Sequence, residues 1–105
     1  MCEDLKIIID IIVEELNPVK IYLFGSRASE TNKKNSDFDL CVIVDKKTKR
    51  KIDMSIDAEL ALVGITNKAT DIIVQYEDKF QARSNYIGTL EYTIMKEGKI
   101  IYEFI

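Results

Sequence analysis

Apolar residues recur near the start of the chain at Leu5, Ile8, Ile9, Ile12, Val13 and Leu16. This i, i+3, i+4, i+7, i+8, i+11 spacing predicts an amphipathic helix that Asn17-Pro18 ends. Ile7 and Ile11 lie outside the stripe, either touching another part of the fold or forming an exposed patch for a partner. The pattern then changes period. "VKIYLF" is rich in β-branched and aromatic residues and predicts a strand ending at Gly25. Ser26 to Glu30 has the length of a short helix, and the polar loop "TNKKNS" follows it. "FDLCVIV" is an almost continuous apolar run, the mark of a strand buried on both faces.

After the basic run "KKTKRK" the pattern predicts a helix carrying Ile52, Ile56, Leu60 and Val63, then a third strand at "TDIIVQY". From Glu77 it turns helical in two pieces, with a break near Ser84-Asn85. Gly98 is placed as a helix stop, and "KIIYEFI" as a last strand or extended tail. Without repeats or low-complexity segments, residues 1–105 are expected to form a single α/β (α+β) domain.

Composition narrows the chemistry. The chain has 105 residues, 47 % of them apolar, and a net charge of −3. A core is within reach, whereas unaided nucleic-acid binding normally needs a strongly basic surface. There is no histidine, so Ser-His, Cys-His and His-metal chemistry are excluded. Cys2 and Cys41 follow no disulfide framework, and no apolar stretch is long enough to span a bilayer. The acidic N-terminus does not read as a targeting signal. A soluble, cytoplasmic protein is expected.

The chemistry that remains concentrates between residues 23 and 43. A strand running into Gly25, with Ser26 opening a helical turn, presents free N–H groups that suit a phosphate. The same Gly-Ser pair also serves as an ordinary helix cap. Asp37 and Asp39, two apart on a strand, project to one face while Phe38 and Leu40 face a core. Two carboxylates about 5 Å apart repel by roughly 3 kcal/mol at an effective dielectric near 20. Either water screens them at an exposed strand end or a divalent cation neutralises them. Asp71 opens the apolar "DIIV", an awkward place for a charge without a partner. If its strand lies beside "FDLCVIV", Asp71 joins Asp37 and Asp39 at one sheet edge, the layout of metal-assisted phosphoryl or nucleotidyl displacement.

"GSRASETNKKNSDFDL" resembles the G-S-x10-D-x-D signature of the nucleotidyltransferase superfamily. With Asp71 and the short tail "GKIIYE", the chain is similar over nearly its whole length to the minimal nucleotidyltransferases, the MNT antitoxin family. The resemblance implies the polymerase β-like nucleotidyltransferase fold, a small mixed sheet flanked by helices. It also implies a partner, a HEPN-domain ribonuclease toxin encoded by a neighbouring gene, in a hetero-oligomer with this chain. The implied activity moves AMP from ATP, with two Mg²⁺ ions, onto a tyrosine of that toxin. Gly25 and Ser26 would hold the triphosphate; Asp37, Asp39 and Asp71 would bind the metals. Arg27 would contact phosphate or tie down the loop.

The roughly 60 residues after Asp39 are needed to finish the core, so the acceptor is expected to arrive on a partner. Ile7, Ile11, Tyr86, Tyr92 and Tyr102 are candidate contacts, with core packing expected for at least some of them. The run Lys46, Lys47, Lys49, Arg50, Lys51 is either a solvated loop or an attractor for an acidic partner or RNA. Two rival readings stay open: a non-catalytic antitoxin that blocks the toxin by occlusion, and nucleotidyl transfer to RNA or a small molecule.

Overall fold

A computed structural model describes residues 3–25, 38–66 and 69–104. Its elements are α1 (Glu3–Leu16), β1 (Lys20–Phe24), β2 (Phe38–Val44), α2 (Lys51–Ala61), β3 (Thr70–Tyr76), α3 (Glu77–Arg83), α4 (Leu90–Glu97) and β4 (Lys99–Glu103). Each expected helix and strand among these residues is present, and the break at Ser84-Asn85 separates α3 from α4. The helical turn placed at Ser26–Glu30 and the loop after it lie outside the described residues.

The helix ends have local causes. Asn17 adopts a left-handed φ of 48°, and its N–H bonds the Val13 carbonyl at 3.0 Å, closing α1 before Pro18 can break it. Thr89 caps α4 by accepting the Tyr92 N–H at 3.0 Å. At the other end of α4 the Gly98 N–H bonds the Ile94 carbonyl at 2.8 Å. A side chain at Gly98 would run into the Ile94 carbonyl oxygen, 2.6 Å from where its Cβ would stand. Here glycine serves close packing.

The four strands form one mixed sheet in the order β3-β2-β1-β4. β1 pairs antiparallel with β2 and β4, whereas β2 and β3 run parallel. Parallel neighbours need a crossover, which α2 supplies. Alternation along the strands then splits the core in two. On one face, Ile21, Leu23, Phe38, Leu40, Val42, Val44, Ile72 and Val74 pack against α1 and α2. On the other, Tyr22, Cys41 and Ile43 meet Phe80 of α3 and Ile94 of α4, with the Tyr22 and Phe80 rings stacked at 5.4 Å.

The two residues left over from the α1 stripe part company: Ile11 packs against the core while Ile7 is exposed. α2 turns its conspicuous apolar stripe outward. Ile52, Ile56 and Leu60 are exposed, as is Val63 just past the helix end, and the helix is seated on the sheet by Met54, Ser55 and Ala58 instead. The Ser55 hydroxyl avoids an unmet donor by bonding the Ile52 carbonyl at 2.9 Å. The basic run is exposed and largely answered by nearby acids: Lys47 to Asp78 at 2.8 Å, Lys49 to Asp57 at 2.7 Å and Arg50 to Asp53 at 2.9 Å. That local pairing favours the solvated-loop reading. No helix among the described residues is long and apolar enough to cross a membrane.

Candidate functional site

β1 ends at Phe24, which pairs across the sheet with Asp39, the second residue of β2. Asp39 in turn is in register with Asp71, the second residue of β3. In-register residues on parallel neighbours point to the same face, with their backbones about 4.8 Å apart. The sheet therefore sets the two carboxylates side by side on the face that carries α3 and α4. They occupy the end where β1 stops and β2 and β3 begin. Asp39 is half-buried and Asp71 exposed. Phe38 and Leu40 point the opposite way and are wholly buried, as the alternation requires. Ser26, Arg27 and Asp37 lie outside the described residues. Among the described ones no cluster of three acidic, histidine or cysteine side chains is assembled.

Gly25 lies against Asp39. Its φ of 76° is left-handed, which glycine adopts without steric cost. A methyl group built on it would overlap Oδ2 of Asp39 and stand 3.3 Å from that residue's Cγ. The space beside the Gly25 Cα is thus the seat of a carboxylate oxygen, a contact that spacing along the chain offered no means of seeing.

Further along the same face lies a second acidic feature that sequence reading missed. Glu91, the second residue of α4, is buried, and its carboxylate accepts from the Arg83 Nε–H at 3.0 Å. It is close enough to Cys41 to act on its titration. Burial first, and the Glu91 charge second, push the Cys41 thiol up from 9.0 to about 12. Cys41 is therefore a protonated packing residue, not a nucleophile. Nothing in the sequence distinguishes Glu91 from a solvated helix residue; its burial follows from where α4 lands. Of the tyrosines considered as contacts, Tyr86 is exposed, Tyr92 half-buried beneath Lys96, and Tyr102 packed against the α1/α2 core.

Comparison with known proteins follows the same lines. Residues 6–104 match the family model described as Polymerase beta, Nucleotidyltransferase. The chain belongs to this nucleotidyltransferase family. Among curated proteins none matches it. Solved structures share its fold. A Sulfolobus solfataricus protein assigned to the nucleotidyltransferases, determined at 1.40 Å, superposes with a TM-score of 0.63 at 16 % identity, over 96 % of this chain and 78 % of that one. A toxin–antitoxin structure with AMP-PNP gives 0.62 at 18 % identity, over 98 % and 75 %. A mutant of the toxin–antitoxin MntA-HpeT gives 0.64 at 15 % identity, over 98 % and 75 %. The likeness to the minimal nucleotidyltransferases thus extends from the motif to the whole fold, and the mixed sheet flanked by helices is that of the polymerase β-like proteins.

Proposed function

We propose that this nucleotidyltransferase-family chain is an antitoxin that transfers AMP from ATP to a tyrosine of a partner HEPN ribonuclease toxin, silencing it. The observation that carries the reading is the in-register placement of Asp39 and Asp71 on adjacent parallel strands, beside the turn at Gly25. Like charges set side by side at a sheet end repel, and a divalent cation with a triphosphate removes the repulsion. The donor set suits Mg²⁺: oxygen ligands only, with the open side of Gly25 leaving Asp39 room to present its carboxylate. Asp39 and Asp71, with Asp37, would hold the metal, which when bound offsets charge on the triphosphate and the attacking oxygen.

The residues of the chain then divide the work. Gly25 and Ser26 take the phosphates. Asp71, exposed near the start of the edge strand, would face the incoming hydroxyl and receive its proton. The tyrosine oxygen attacks the α-phosphorus, the bond to the bridging oxygen breaks and pyrophosphate leaves. A macromolecular acceptor agrees with the exposed Tyr86, Ile87 and Leu90 around the α3–α4 turn, since those helices cover the same sheet face as the two carboxylates. The relatives with AMP-PNP and in a toxin–antitoxin pair support the nucleotide and the partner class.

The test is incubation with Mg²⁺, the neighbouring gene's product and ATP labelled at the α- or the γ-phosphate. Only the α-label is expected on the partner, on tyrosine, and Asp39→Asn or Asp71→Asn should reduce it by about a hundredfold or more. One observation favours a second reading, occlusion without catalysis. The apolar stripe of α2 lies on the sheet face away from the carboxylates, so a partner seated there would be bound without being modified. If Asp37→Ala/Asp39→Ala neutralises the toxin as well as the unaltered chain does, occlusion is the function.

A further inference from the structure

We propose that Gly25 is a positioning residue for Asp39, and that its glycine identity is required by that carboxylate and not only by the approach of a phosphate. The inference rests on the reading above for its metal, but the contact itself stands on geometry alone. Three glycines adopt left-handed backbone, Gly25 at 76°, Gly64 at 79° and Gly88 at 96°. At Gly64 and Gly88 an added methyl group would meet nothing within 4 Å, so an alanine there carries backbone strain and no more. At Gly25 the same methyl group would overlap Asp39 Oδ2.

The overlap involves the far end of a side chain whose root is fixed. Asp39 sits inside the ladder, paired with Phe24 on one side and Asp71 on the other, so its Cβ direction is set by the pleat. The carboxylate can clear a methyl group at residue 25 only by rotating away from its seat. The oxygen that is displaced belongs to the candidate metal ligand. Because the Asp39 Cβ is 3.6 Å from the added methyl, an ordinary contact, truncating Asp39 to alanine removes the conflict without creating another.

The consequence is measurable without nucleotide. Gly25→Ala and Gly88→Ala are made in the unaltered chain and in Asp39→Ala, and each is followed by urea unfolding and by Mn²⁺ titration read from the electron paramagnetic resonance of the free ion. Gly88→Ala is expected to lower the folding constant by the same factor in both backgrounds and to leave Mn²⁺ binding unchanged. Gly25→Ala should lower the folding constant about tenfold more in the unaltered chain than in the Asp39→Ala background. It should also weaken Mn²⁺ binding by about 10–100-fold, the range found when a group that orients a ligand is lost.

Equal losses in the two backgrounds overturn the proposal, as does unchanged Mn²⁺ affinity in Gly25→Ala. Should Gly25→Ala fail to fold, recovery of folding in Gly25→Ala/Asp39→Ala supports the seat, and a double variant equally unfolded overturns it. An unaltered chain that binds no Mn²⁺ sinks the metal reading, while the unfolding cycle still decides the role of Gly25.

Discussion

The two faces of the sheet are built from the same strands, yet they behave as different materials. Toward α1 and α2, every second residue of β2 is apolar and closed to water: Phe38, Leu40, Val42 and Val44. Toward α3 and α4 the intervening residues begin with Asp39 and only then become apolar, at Cys41 and Ile43. β3 repeats the arrangement one strand over, with Ile72 and Val74 on the first face and Asp71 leading the second. A single residue of offset thus separates a position buried in the core from one that carries a charge at the sheet end. The first face supplies stability from which the second can tolerate adjacent carboxylates.

That contrast is easiest to break at neighbouring residues. Phe38→Ala removes the largest of the wholly buried side chains and should destabilise by about 3–5 kcal/mol in urea unfolding. Asp39→Ala, one residue later, should cost no more than about 1 kcal/mol, since relief of the repulsion with Asp71 offsets the contacts the carboxylate gives up. If the two substitutions cost the same, the division of labour between the faces is wrong.

A pH series sharpens the picture on the carboxylate face. Well below pH 9 the Cys41 thiol keeps its proton in both folded and unfolded chains, and its burial adds no pH dependence. Between 9 and about 12 only the unfolded chain releases it, so the unfolded state binds fewer protons and stability falls with rising pH. The slope is about 1.4 kcal/mol per pH unit. Cys41→Ala should abolish that part of the slope, read as the difference between the two chains' unfolding curves. Glu91→Gln should move the upper end of the window to lower pH, because the Glu91 charge is the second cause of the raised value. A window unmoved by Glu91→Gln would separate that carboxylate from Cys41.

The smallest effect is expected outside both cores. Leu60 is 65 % exposed on α2, and Leu60→Lys should change the stability of the isolated chain by no more than about 0.5 kcal/mol. A loss several times larger would mean that the stripe is covered in solution.

Much of this architecture can be read directly from the residues. β2 and β3 occupy the stretches "FDLCVIV" and "TDIIVQY", and α3 and α4 flank the predicted break at Ser84-Asn85. Such elements are set by local periodicity, by β-branched content and by turn residues, all of which are properties of neighbours in sequence. The motif from Gly25 to Asp39 was legible for the same reason, since its spacing is fixed along a short piece of chain. Asp71 was a candidate because a charge at the head of an apolar strand needs an explanation, but its partner could only be conjectured.

Contacts between distant segments were decided elsewhere. The register that sets Asp71 beside Asp39 depends on how the long crossover from Val44 to Thr70 packs, and a slip of one residue would have sent Asp71 to the opposite face. The apolar stripe of α2 announces a helix without saying which side the sheet will take, and the sheet takes Met54 and Ala58 instead. Glu91 is buried because α4 folds back over Cys41. Gly25 faces a carboxylate oxygen because β1 and β2 bring residues 25 and 39 together. The sequence by itself determined the elements, the family motif and two of its acidic members, because periodicity and spacing act along the chain. Only the tertiary structure decided which of these residues touch, because packing acts across it.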